Sequence, residues 1–568
     1  MKTMVSLLLA PAHPASGSFR WRWAALSLAL ATAPLAQAQT LIETITTTSV
    51  SNTLDQTQTT NALPGLDRAK AAQQTQNAQT QKTNAAIGAT DPVTGKAAAP
   101  LIPFNTAQAA RLSTARTLLS QGDARGARPI FEGLIAANYA QPEPHFGLAL
   151  SLLSLGDLTG ARFELTQFVA LSPASFEGPY NLGVIAARTK DYDEALKQFT
   201  AAVALSGSAS STAAPAARRQ LLEALAGEQL RRGDYAGLST TLTQALASDP
   251  QDLSLKYRLG QATAYAGKGA EALPLLYAAA QSDVNRTGAT LLIADIYAAQ
   301  KLPDRGVREL DTAAALVSSA ERARLLVRKS QLLQAQDQTP AAVQAAREAV
   351  QADSKSAAAY SALGTALAVS DLKGSLAAWQ TAAGLDAQNG GTLLNLAAVQ
   401  LSLGANAEAQ SSAVRAMKLT AATDNASLAR AEFVQGVAAY RLKDYAAAVK
   451  ALGSSAARSP GAQTSLWLGL SSYARKDYAG AIAALGESVK LGDSSAARLN
   501  LGAALLAAGR FSEAEPNLRS VVVGDPSNAA AWYQLGLARK AQGKDSEAKT
   551  AFSSAAKLGY APAKAELK

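Results

Sequence analysis

There is no cysteine in the 568 residues. That removes disulfides, thiol catalysis, thiolate metal sites and a lipid-modified N-terminal cysteine together. Histidine is almost absent: His13 and His145 are the only two. With no Cys/His cluster, no HExxH pair and no acid-rich metal loop, the sequence predicts no metal site, no catalytic residue and no cofactor. Aromatic residues are 5% of a chain whose apolar content is 48%, so Ala and Leu carry much of the apolar mass. Such a composition favours close helix–helix packing over a few large cores. Charge is sparse and dispersed, net +10 at 17% charged residues with no Lys/Arg run. No nucleic-acid partner is expected from that pattern.

Two stretches that look like enzyme motifs do not survive inspection. "GQATAYAGKGA" (260–270) holds glycines and a lysine but lacks the spacing of a phosphate-binding loop. Ser554 and Lys557 fit an SxxK pattern, without the companion motifs that serine acyl enzymes need. The chain is read as a non-enzyme.

Long apolar runs are missing as well. The most apolar stretch near the start, "WAALSLALATAPLAQA", follows Lys2, Arg20 and Arg22 and is too short and Pro-interrupted to span a bilayer comfortably. Ala36-Gln37-Ala38 supplies a small-x-small cleavage site, so residues 1–38 read as an export signal, with a mature chain from Gln39. An uncleaved anchor and a translation start downstream of Met1 are the alternatives. After cleavage no transmembrane span is expected, and the destination is the periplasm or cell envelope of a bacterium. Residues 39–104 are rich in Thr, Gln, Asn and Ala and read as a disordered linker, with "LIETITTTSV" as a β-prone patch inside it.

From about residue 107 a period appears. Gly183 is followed twelve residues on by Ala195, and the same step recurs at Gly260/Ala272, Gly436/Ala448, Gly469/Ala481, Gly502/Ala514 and Gly536/Ala548. Twelve residues beyond the second small position stand Pro173, Pro250, Pro460 and Pro526. Taking that second position as a marker gives thirteen units, at Ala127, Ala161, Ala195, Leu238, Ala272, Gly306, Ala342, Leu376, Ala409, Ala448, Ala481, Ala514 and Ala548. Nine of the twelve steps between them are 33 or 34 residues. Each unit reads as two short amphipathic helices. Gly and Ala lack bulk where the helices cross, and Phe199, Leu518 and Phe552 lie one turn past the small residue to fill the seam against the next hairpin. Asp193, Ser512 and Ser546 stand where the second helix needs an N-cap, each followed by Glu, and the prolines end the second helices.

A period of 34 with these residues resembles the tetratricopeptide repeat. The resemblance covers about 107 to 568 and implies an all-α, right-handed α-solenoid of about thirteen helical hairpins. The longer steps around 206–216 and 420–426 divide the array into blocks at 105–205, 217–420 and 427–568. A single hairpin cannot bury its own apolar face, so stability accumulates by stacking. "GYAPAKAELK" at the end reads as a capping helix.

The resemblance also places the site. In that family the first helices line a groove, and His145 takes a first-helix packing position that is usually Trp. The groove positions in this chain are Tyr180, Asn181, Arg188, Tyr257, Gln261, Tyr265, Phe433, Tyr440, Arg441, Tyr473, Asn500, Tyr533 and Lys540. Asn181, Asn395 and Asn500 share one position, where asparagine holds a bound peptide's backbone in some relatives. Tyr offers contact area with a polar tip at small entropic cost. The expectation is a non-catalytic scaffold binding a peptide or protein partner in the assembly of an envelope complex. The alternative is a structural component whose dispersed cations bind an anionic cell-wall or surface polysaccharide.

Overall fold

The computed structural model describes residues 103–207 and 215–567. The signal segment, almost all of the linker and most of the insertion at 206–216 lie outside the described residues. Those described form twenty-seven α-helices and no strand. The all-α solenoid expected from the repeat is the fold.

The chain divides into two units between Ile296 and Tyr297. In the amino-terminal unit the hairpins pair α1 (Thr106–Ser120) with α2 (Ala124–Ala137), α3 (Pro142–Ser154) with α4 (Leu158–Leu171) and α5 (Glu177–Arg188) with α6 (Tyr192–Ser206). Then α7 (Pro215–Arg232) pairs with α8 (Tyr235–Ser248) and α9 (Leu253–Tyr265) with α10 (Gly269–Ala279); the division falls within α11 (Asp283–Ala299). The carboxy-terminal unit continues with α12 (Pro303–Ala314), then pairs α13 (Ser319–Ala335) with α14 (Thr339–Ala352) and α15 (Ala357–Leu367) with α16 (Leu372–Leu385). Next come α17 (Gly390–Ser402) with α18 (Asn406–Leu419), α19 (Asn425–Arg441) with α20 (Tyr445–Arg458) and α21 (Ala462–Ala474) with α22 (Tyr478–Leu491). The last pairs are α23 (Ser495–Ala507) with α24 (Phe511–Gly524) and α25 (Ala529–Ala541) with α26 (Asp545–Lys557), closed by α27 (Ala561–Ala565). All thirteen marker residues lie on second helices.

The turn inside each hairpin follows a short grammar. A residue with positive φ, such as Gly122, Gly156, Lys190, Gly233, Lys443 or Lys476, ends the first helix. The next N–H bonds five residues back, as in Asp123 to the Leu118 carbonyl and Asp477 to the Ser472 carbonyl, both 2.9 Å. That next residue is also the N-cap of the second helix. Asp123, Asp157, Asp234 and Asp477 each accept the backbone N–H three residues on, at 2.8–2.9 Å. The caps expected at Asp193, Ser512 and Ser546 are therefore corrected. The left-handed residue ends the first helix earlier, so the cap positions are Asp191, Arg510 and Lys544, and Asp193, Ser512 and Ser546 lie in the first turn. Arg510 and Lys544 give no side-chain cap, and the acids Glu513, Asp545 and Glu547 meet the helix dipole instead.

Helix crossing explains the Gly–Ala spacing. A Cβ on Gly183 would stand 2.7 Å from Phe199, on Gly436 2.5 Å from Leu452, and on Gly536 2.5 Å from Phe552. These large residues therefore meet the glycine of their own hairpin, in addition to any seam with a neighbour. One marker needs correction. The small residue of the eighth unit is Ser375, fully buried, and not Leu376, because its turn is one residue shorter. Ser375 Oγ donates to the Gly364 carbonyl at 2.6 Å, and Gly364 makes room for Trp379. Ser330 stitches its hairpin in the same way, to the Ala342 carbonyl at 2.8 Å. The prolines Pro173, Pro250, Pro460 and Pro526 fall between hairpins as expected. His145 is fully buried, with Nδ1 2.6 Å from Glu164 and Nε2 2.9 Å from the Tyr139 carbonyl, a packing residue of α3.

Candidate partner-binding face

Every expected groove residue stands on a first helix. In the amino-terminal unit, side chains join these helices edge to edge. Tyr180 on α5 accepts from Gln220 Nε2 on α7 at 3.1 Å. The Tyr257 hydroxyl on α9 sits where a Cβ on Gly288 of α11 would be 2.4 Å away. Gln261 hydrogen-bonds Tyr265, whose ring lies 5.1 Å from that of Tyr235. Asn181 turns its amide back onto its own helix, donating to the Glu177 carbonyl at 2.8 Å, and Arg188 is exposed at the end of α5. Tyr180, Tyr257, Gln261 and Tyr265 thus belong to one face of α5, α7, α9 and α11.

In the carboxy-terminal unit the same positions are more often occupied by packing. The Tyr440 ring lies 5.5 Å from Tyr445 and 5.3 Å from Trp467 of α21. Arg441 donates to the Leu401 carbonyl of α17 at 2.5 Å. Phe433 packs against the cluster that holds Val434 and Val437. Tyr533 lies between Phe552 (5.8 Å) and Tyr560 (5.1 Å), and Lys540 pairs with Glu566 at 2.6 Å. The segment around α27 therefore packs on Tyr533 and pairs with Lys540, which stays exposed. Asn500 donates to the Ala496 carbonyl at 2.8 Å. Tyr473 is the accessible ring here, 39% exposed and 5.6 Å from Tyr478.

Solvent exposure and desolvation coincide at two first-helix side chains. Tyr265 is 36% exposed, yet burial pushes its hydroxyl pKa up, with Gln261 pulling it down. Arg430 on α19 is exposed, yet desolvation by the surrounding chain lowers its guanidinium pKa, Asp424 opposing. Burial also raises the Tyr180 and Tyr440 hydroxyls.

Two cations were missed in the sequence. Arg430 donates to Asn395 at 3.3 Å, and Arg258 lies beside the expected Tyr257. Arg258 precedes Gly260 by two residues, the position that Asn181 holds before Gly183 and Asn500 before Gly502. That shared register was the available signal. Among the described residues no group of three His, Cys, Asp or Glu side chains is placed to hold a metal, and no helix is long and apolar enough to cross a membrane.

Comparison with known proteins agrees with this architecture. The family model described as "Tetratricopeptide repeat" matches residues 112–175, 164–210, 433–496 and 499–562. No curated protein matches the chain. Among solved structures, Naa15/Naa10 bound to HypK-THB is similar at 15% identity and a TM-score of 0.40, covering 79% of this chain and 76% of that one. The APC/C hetero-tetramer Cut9-Hcn1 is similar at 15% identity and 0.32, covering 82% and 96%. YrrB, a TPR protein with an unusual peptide-binding site, is similar at 19% identity and 0.29, covering 32% and 91%. The four matched segments lie in both units, and the Gly–Ala crossing recurs in both. Over the matched segments the chain is a tetratricopeptide repeat protein, and its described helices form an all-α solenoid of the kind that serves protein–protein interaction.

Proposed function

We propose that this protein is a non-catalytic scaffold of the bacterial cell envelope, holding an extended peptide or a protein partner on the first-helix face during assembly of an envelope complex. The observation that carries the reading is a division of labour between first and second helices. Second helices place small and large residues against their own first helices, whereas first helices leave some rings open to solvent. Tyr265 is the exposed anchor in the amino-terminal unit and Tyr473 in the carboxy-terminal unit. Rings of this kind contribute contact area at low entropic cost. The envelope setting rests on the signal-like segment 1–38, and the linker 39–104 would supply reach. The competing reading, attraction of an anionic polysaccharide, rests on the net charge of +10.

Capture from an envelope extract at low and high salt, with wild type and a Tyr265→Ala/Tyr473→Ala variant, separates the two. A protein partner retained at high salt and lost in the variant supports the groove. Glycan captured only at low salt, and equally by the variant, contradicts it, because exposed charges are screened as ionic strength rises.

A further inference from the structure

Arg258 stands out among the cations of the amino-terminal unit. Its neighbours are engaged: Arg219 pairs with Glu223 at 3.3 Å and with Asp252 at 3.5 Å, Arg231 lies 3.4 Å from Glu228, and Arg232 pairs with Asp193. Arg258 is half-buried on α9 and makes no hydrogen bond or ion pair with any described residue. A guanidinium carries five N–H donors in a planar fork, and leaving it half-buried without an acceptor is costly. Burial lowers the Arg258 pKa, opposed by the more distant charges of Glu223 and Asp252 and reinforced by Arg219. Asparagines at the same repeat position avoid this problem by donating to their own helix, Asn181 to the Glu177 carbonyl and Asn500 to the Ala496 carbonyl. Arg258 makes no such bond.

We propose that Arg258 seats one acidic side chain of an extended peptide bound on the first-helix face of the amino-terminal unit, a partner class that rests on the peptide-binding reading above. The chemistry selects a carboxylate. Its two coplanar oxygens match the guanidinium fork in a bidentate pair. Glu223 and Asp252 already lean on Arg258 through space, so a doubly charged phosphate meets more repulsion than a single carboxylate. The surroundings suit a peptide rather than a free anion. Gln261 lies one turn along α9 and Tyr265 two turns along, offering an amide for backbone and an exposed ring for a neighbouring apolar side chain.

The test is a random-peptide library displayed on phage and panned on the full chain. The best binder is then synthesised with its shared acid as Glu, as Gln and as phosphoserine. Binding is measured to wild type, Arg258→Gln and Arg258→Lys, with thermal unfolding of each variant as a check on folding. The expected result is an Asp or Glu at one register, at least tenfold weaker binding of the Gln peptide to wild type, and no preference in Arg258→Gln. Arg258→Lys should restore part of it, and the phosphoserine peptide should bind more weakly than the Glu peptide. Enriched peptides with no acidic register, an acid preference that survives in Arg258→Gln, or tighter binding of phosphoserine would overturn this assignment and leave the groove reading standing. No enriched peptide at all would overturn the groove reading itself.

Discussion

The two units use one hairpin and engage their first-helix cations differently. In the amino-terminal unit Arg258 makes no hydrogen bond or ion pair with a described residue, and the Tyr265 ring stays open to solvent. In the carboxy-terminal unit Arg441 is bonded to the Leu401 carbonyl, Arg430 to Asn395, and Lys540 to Glu566, while Tyr533 is wedged between two rings. A repeat position is therefore no guarantee of a binding role. First helices hold building material at some positions and an accessible ring or cation at others.

Substitutions can break that contrast. Tyr533→Ala removes contacts with Phe552 and Tyr560 and with them the seat of α27. It should destabilise the carboxy-terminal unit by about 2 kcal/mol, read by denaturant unfolding. Arg441→Gln loses a charged hydrogen bond that joins α17 to α19, and the partly exposed setting reduces its worth to about 1 kcal/mol. Arg258→Gln removes no bond, so its stability should stay within about 0.5 kcal/mol of wild type. Equal losses in the two arginine variants would erase the distinction between the units.

The array was legible in the sequence because its markers report a steric necessity. Gly183, Gly436 and Gly536 face Phe199, Leu452 and Phe552 so closely that no Cβ fits, and such positions keep their spacing. The cap residues were misplaced by two because Asp193 is adjacent to Glu194, whereas the left-handed Lys190 decides where the helix starts. Ser375 was hidden by a turn one residue shorter than the rest. The site was less legible for a different reason. Whether a first-helix residue binds or builds depends on what the next hairpin presents to it, as Glu566 does for Lys540. Arg258 could have been found from the register it shares with Asn181 and Asn500, but that no described residue pairs with it is a tertiary fact.

The central claim is that first helices bind and second helices build. Its most direct test is a photo-crosslinking benzophenone side chain placed singly at Tyr265 and Tyr473 on first helices, and at the exposed Thr240 and Ser520 on second helices. The full-length protein is illuminated in its own envelope extract. The account predicts a discrete cross-linked partner from Tyr265, Tyr473 or both, and none from Thr240 or Ser520. Cross-links from the second-helix positions, with the first-helix positions silent, would contradict it.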